Sequence, residues 1–282
     1  FYMKDIIKKI SVKNALILIV LCTFIYSAFL TINPPNKIAV LEITGVIRSP
    51  KAYLKSIEEF LDDESIKAVI IRIDSPGGTV GSSQEIYNSL INLNESKLVV
   101  SSIVDIGASG GYMIACGSSY IFANPGSITG SIGVITQYYD LSKLIKYLKV
   151  NIEVVKSGEL KDIGTPRREL TEDEKKILSL IIEDVHSQFK QVVKDRRKLS
   201  EKEIELVADG RIFSGNQAKK LKLVDATGGL ESAIKYIEDI LELEDLDIEY
   251  FPKKKEKLLD KIIPEIKSEY FEKLYYLYNS SL

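Results

Sequence analysis

The stretch KLVVSSIVDIGASGGYMIACG, residues 97–117, decides how this chain is read. Its opening, 97–104, is an apolar run of the kind found in buried strands. A turn rich in glycine and alanine follows, holding a single serine, Ser109, and the residues after it read as a helix. A strand–turn–helix junction of this kind exposes a hydroxyl and leaves backbone N–H groups free at the helix start. It also adds the positive end of the helix dipole. That is the mechanical logic of a nucleophile elbow, although the spacing is not G-x-S-x-G. A serine that merely caps a helix would look the same locally.

Working outward, similar alternations recur on both sides. KIAVLEITGVI (37–47) reads as a strand and 51–62 as a helix with Leu54, Ile57 and Leu61 on one face. KAVIIRID (67–74) is nearly continuous in apolar residues, as in a strand covered on both faces. A helix over about 81–93 leads to the opening stretch. Beyond it, SYIFA (119–123), SIGVITQYY (131–139) and NIEVV (151–155) read as strands, with a helix over 140–149 between the last two. Strands alternating with helices predict an α/β fold with right-handed crossovers and a mostly parallel sheet. From 171 the pattern turns helical. TEDE (171–174) is a capping box, SGNQ (214–217) caps a second helix, and Leu178, Ile181, Val185, Phe189 and Val192 form one apolar face.

The N-terminus carries a different signal. Residues 15–32, ALILIVLCTFIYSAFLTI, contain no charge and as a helix would extend about 27 Å, close to the roughly 30 Å hydrocarbon core of a bilayer. Lys4, Lys8, Lys9 and Lys13 precede it, which predicts a cytoplasmic N-terminus and an extracytoplasmic remainder. A cleaved signal peptide is the other reading. The run is long for one, and no clear A-x-A site follows. The chain is expected to divide into a cytoplasmic segment 1–14, an anchor 15–32, a linker 33–36, a main domain 37–250 and an amphipathic helical tail 251–282.

Bulk properties narrow the function. A net charge of −2 over 282 residues argues against a nucleic-acid binder. Two cysteines, Cys22 and Cys116, make no disulfide framework. No set of His, Cys and carboxylates has metal-ligand spacing, so neither a metal nor another cofactor is called for.

Three features bear on chemistry. In DSPGG (74–78) paired glycines follow a buried strand, so their N–H groups can approach a ligand closely. The N–H groups of Gly78 and Gly110 would form a two-donor oxyanion hole for an acyl group attacked by Ser109. A serine also needs a base. His186, the only histidine, sits mid-helix beside an apolar face and reads as an ordinary partly buried or surface residue. A lysine serves when desolvated. Lys161 and Lys156, in KSGELKDIGTPRREL (156–170), are the candidates, and the residues alone do not separate them. For the substrate, Gly77, Thr79, Val80 and Ile132 are the expected binding residues, with Met113 and Val134 beside them. Residues 79–81 are expected to be extended and to pair with a substrate strand.

IDSPGG, ASGGYMIA, GSITGSIGVI, KSGELKDIGTPRRELTEDE and ADGRIFSGNQAKKLKLVD occur in this order. With them the chain resembles the signal peptide peptidases of the protease IV type over residues 37–240. The resemblance implies a Clp-protease/crotonase-like fold, a superhelix of ββα units, and a membrane-anchored serine peptidase with Ser109 as nucleophile and Lys161 as general base. It implies cleaved signal peptides or other apolar peptides as substrates, and a homo-oligomeric ring whose sites borrow residues from a neighbour. Ser131 and Ser157 are candidates to hold the Lys161 amine, and Glu159 and Asp162 are expected to face away from it. The competing readings are a crotonase-type acyl-CoA enzyme and a non-catalytic, membrane-tethered peptide-binding scaffold.

Overall fold

A computed structural model describes residues 16–24 and 35–253. Residues 16–24 are helical. The rest of the expected anchor, the segment before it and the tail beyond 253 lie outside the described residues. Among the described residues no helix is long and apolar enough to cross a membrane.

The chain runs β1 (Lys37–Thr44), α1 (Lys51–Asp62), β2 (Ile66–Ser75), α2 (Val80–Asn94), β3 (Leu98–Ala108), α3 (Gly110–Ala115), β4 (Tyr120–Ala123) and β5 (Ile128–Gly130). It continues through α4 (Ser142–Tyr147), a 3-10 turn (Glu159–Asp162), α5 (Glu172–Arg197), α6 (Glu201–Val207), β6 (Ile212–Ser214), α7 (Gly215–Lys220), β7 (Ala226–Thr227), α8 (Leu230–Leu241) and β8 (Asp247–Phe251). The sheet order is β6-β5-β3-β2-β1-β8, with β4 pairing both β3 and β7. All pairs are parallel except β5 with β6. The expected α/β class with a mostly parallel sheet is the one observed.

Strand alternation sorts the sheet into two cores. Ala39, Leu41 and Ile43 of β1 and Val69, Ile71 and Ile73 of β2 face a core shared with Ile57 and Phe60 of α1, Ile86 and Leu90 of α2, and Tyr112 of α3. Ile38, Val40, Ala68 and Ile70 face the other side, where Ala233 and Ile237 of α8 cover them. Each of these Ile and Val side chains is essentially inaccessible, and each burial contributes about 1.5–3 kcal/mol. Burial on both faces is why 68–71 and Ile73 are all apolar, while the charged residues Lys67, Arg72 and Asp74 sit where β2 is only partly covered or exposed.

The outer edge of β3 is divided between two partners. Val100–Ile103 pair with β4, and Ile106–Ala108 pair with β5. The strand therefore extends four residues past the apolar run, to the residue before Ser109. The structure corrects two other expectations. Residues 131–139 and 151–155 form no strand, and the helix expected over 140–149 is the shorter α4. A strand needs a ladder partner to satisfy its backbone. This arm has none among the described residues, and beyond Val134 most of its apolar side chains stay in solvent. Ile135 is 79 % and Val155 101 % exposed.

Candidate active site

Ser109 stands between β3 and α3 with φ 52° and ψ −122°. A positive φ on a serine is strained backbone, held only where neighbours over-determine it. The Ser109 N–H donates to the Gly130 carbonyl at 2.9 Å, and its carbonyl accepts from the Met113 N–H at 2.9 Å. All six residues of α3 are buried. The serine thus projects from a short, immobilised helix start.

The DSPGG turn is pressed against this junction. A Cβ on Gly77 would lie 2.7 Å from the Gly110 nitrogen, and one on Gly78 would lie 1.9 Å from the Ile47 carbonyl oxygen. Gly77 also has φ +99°. No side chain fits, which is the physical reason for the glycine pair. Ser75 fixes the turn, its hydroxyl donating to the Gly45 carbonyl at 2.6 Å and accepting from the Gly77 N–H at 3.1 Å. Ile47 bridges to Gly78, donating its N–H to the Gly77 carbonyl and accepting from the Thr79 N–H. That pattern turns the Gly78 N–H away from Ile47. Among the described residues neither it nor the Gly110 N–H has an acceptor. A Cβ built on Gly110 would lie 3.4 Å from the Gly78 nitrogen, so the two donors are neighbours.

Ser109, Gly78 and Gly110 line one cavity of about 90 Å³. Its walls are Val80, Met113, Val134, Ile135, Val185 and Phe189, with Ser83 and Gly133. Of the residues expected at the substrate, Val80, Met113 and Val134 are here. The Ile132 side chain is instead fully buried in the core, and its carbonyl accepts from His186 Nε2 at 3.1 Å. His186 thereby ties α5 to the segment carrying Gly133 and Val134. Residues 79–81 are not an extended strand. Thr79 caps α2, Val80 and Gly81 are its first turn, and the Thr79 N–H is already taken by Ile47. A glycine-bounded helix start outcompetes the extended form, because α2 buries Ser83, Ile86, Leu90 and Leu93. Ser83, Val185 and Phe189 were not singled out for the site. The spacing of Val185 and Phe189 marked an apolar helix face, but nothing in it said that the face meets Ser109.

Lys161 lies in the 3-10 turn, exposed and outside the lining of this cavity. Its amine has no hydrogen bond or ion pair among the described residues. Lys156 differs, donating its amine to the Glu159 carbonyl at 2.6 Å and to Asp162 Oδ1 at 2.7 Å. Of the two lysines that the sequence left level, only Lys161 has an uncommitted amine. Neither Glu159 nor Asp162 pairs with it. Asp162 faces Lys156, Arg168 at 3.2 Å and Arg167 at 3.9 Å, and the Lys156 and Arg168 contacts hold its carboxyl below the usual range. Ser131 has φ 50° and its N–H donates to the Arg211 carbonyl, while Ser157 is exposed.

Away from the site, Arg197 pairs with Asp225 at 2.7 Å and Tyr112 donates to the Leu223 carbonyl at 2.7 Å. These contacts tie the end of α5 and the start of α3 to the same segment, 223–225. Cys116 is buried and unpaired, and burial pushes its thiol up to about 12, which makes it an inert filler. Cys22 is exposed and also unpaired.

Comparison with known proteins gives the chain's relatives. The profile of peptidase family S49 matches residues 92–244. A candidate protease of Synechocystis is 46 % identical over 200 residues, covering 70 % of this chain and 72 % of the relative. A candidate signal peptide peptidase of Enterococcus faecium is 31 % identical over 248 residues, 83 % of this chain and 68 % of the relative. A chloroplastic serine protease of Arabidopsis thaliana is 34 % identical over 182 residues, 64 % of this chain and 27 % of that longer protein.

Proposed function

The chain belongs to the S49 family of serine peptidases, and from that premise we propose that Ser109 is its nucleophile and Lys161 its general base. The observation that carries the reading is the strained Ser109 turn. It shares one small apolar cavity with two unpaired backbone donors, Gly78 and Gly110. In this mechanism the Ser109 hydroxyl oxygen attacks the substrate carbonyl carbon while its proton passes to the neutral Lys161 amine. The tetrahedral oxyanion accepts hydrogen bonds from the Gly78 and Gly110 N–H groups. The C–N bond then breaks, and the leaving amine takes the proton from Lys161. Water, deprotonated by Lys161, hydrolyses the acyl-enzyme and restores Ser109.

The substrates are apolar peptides such as cleaved signal peptides. The support is the cavity wall, where Val80, Met113, Val134, Ile135, Val185 and Phe189 suit a small apolar side chain. The uncharged run 15–32 tethers the domain to the membrane, with the site on the extracytoplasmic face, where such peptides are released. The fold is the Clp-protease/crotonase-like superhelix, assembled as a homo-oligomeric ring. Supporting assembly is the arm after β5, where Ile135, Tyr147 and Val155 are each more than three-quarters exposed. An apolar surface of this kind marks a protein contact. Because Lys161 lies outside the Ser109 cavity of its own chain, the Lys161 that serves Ser109 comes from the neighbouring copy.

The test is covalent labelling by a fluorophosphonate together with cleavage of a fluorogenic apolar peptide by the full chain. Wild type should label at Ser109, and Ser109→Ala and Lys161→Ala should each lose at least about a thousandfold in kcat/KM. Comparable activity in either variant removes that residue from the mechanism. A wild-type chain that neither labels nor cleaves overturns the reading.

A further inference from the structure

The turn that carries Lys161 is framed by charge. Facing it are Lys156 from the segment before, Glu159 and Asp162 within it, and Arg167 and Arg168 from the segment after. Glu174 faces it from α5, and Tyr138 is the further titratable neighbour, its ring packed against Gly164. Arg168 alone spans the frame. One edge of its guanidinium makes two bonds of 2.7 Å to Glu174 Oε1 and Oε2, and Nη2 also reaches Asp162 Oδ1 at 3.2 Å. Glu174 is anchored. Its side chain is 2 % exposed and accepts from the Thr171 N–H at 2.9 Å, closing the capping box of α5. Lys156 completes the frame from the other side by holding Asp162 Oδ1.

We infer that Arg168 is a positioning residue for Lys161, fixing the 159–162 turn to the start of α5 and keeping the Asp162 charge committed away from the neighbouring amine. The inference rests on Lys161 being the base. Its physical content is a matter of sign. An unpaired carboxylate one residue away favours the protonated amine, which cannot accept a proton from Ser109. Asp162 is taken up by Lys156, Arg168 and Arg167, and Glu174 by Arg168, so three cations face these two carboxylates; Glu159, the third carboxylate of the frame, makes no ion pair with Lys161 among the described residues. A bidentate fork is needed for the double engagement, which a lysine at 168 would reproduce only in part.

The experiment is the pH profile of kcat/KM for full-length variants on a fluorogenic apolar peptide. Arg168→Gln should move the acidic limb upward by about one pH unit. Adding Asp162→Asn should return it, and Arg168→Lys should fall between. Lys156→Gln leaves the Arg168–Glu174 pair intact and should move the limb in the same direction by less. That variant keeps the test decisive if Arg168→Gln fails to fold. A uniform loss at every pH, or a limb that Asp162→Asn does not restore, would reduce Arg168 to a structural brace and overturn the inference. Lys161→Ala separates the two readings. If it is inactive while the limb stays fixed in Arg168→Gln and Lys156→Gln, only the positioning role fails. If it is fully active, the base assignment fails and the inference falls with it.

Discussion

The two halves of the candidate site are built by opposite means. Around Ser109, backbone is packed on backbone. At Gly77, Gly78 and Gly111 an added Cβ would strike backbone, and α3 is entirely buried. Around Lys161, an exposed 3-10 turn is held by ion pairs instead, through Lys156, Asp162, Arg168 and Glu174. The first region is complete within one chain. The second presents an amine with no partner among the described residues, on an arm where Ile135, Tyr147 and Val155 are exposed. Rigid packing is what the proposed nucleophile and oxyanion donors would need, since preorganised groups do not move during a reaction. Ion pairs suit an exposed segment, whose charged groups keep much of their water.

The contrast is broken most sharply by mixing chains. Ser109→Ala and Lys161→Ala, each inactive alone, should recover peptidase activity when co-assembled, because an intact Ser109 would meet an intact Lys161 across the contact. Co-assembled mixtures with no recovery would mean that both residues act within one chain, and the two regions would not be complementary. Next in size is Gly78→Ala. Its methyl group would strike the Ile47 carbonyl, so the turn must shift and its N–H leave the cavity. Losing one such donor costs about 10²- to 10³-fold in kcat. A folded variant, judged by its thermal melt, with near wild-type turnover would remove Gly78 from the oxyanion hole.

The smallest expected effect belongs to the ion-pair side. Arg168 and the Thr171 N–H hold the Glu174 carboxyl at about 2, against an ordinary value of 4.5. A depressed carboxyl stabilises the folded state above its unfolded value and loses that contribution as pH falls through the folded one. The wild-type melting temperature should therefore decline between pH 4.5 and about 2 more steeply than that of Glu174→Gln. Parallel declines in the two proteins would show that the pair is not coupled to folding.

Much of the Ser109 half was legible in the sequence because its determinants are local. The apolar run 97–104, the glycines on either side of the serine and the DSPGG turn are chemical statements about backbone and burial that hold wherever the segment lies. The α/β alternation was legible for the same reason. The arm was not. Residues 131–139 and 151–155 have strand-like composition, but a strand exists only when a partner offers its backbone, and composition does not name one. Residues 79–81 likewise read as extended, until the buried face of α2 drew them into its first turn.

What the sequence by itself determined is therefore the α/β alternation through β4, the glycine-rich turn at Ser109 and the glycine pair after β2, since strand burial and glycine geometry are set within a few residues. The tertiary structure decided which lysine amine stays free, where the carboxylates beside it go and which face of α5 walls the cavity. Those outcomes depend on pairings such as Lys156 with Asp162 and Arg168 with Glu174. They depend equally on α5 lying over α3, and contact between distant segments is not written in the spacing of either one.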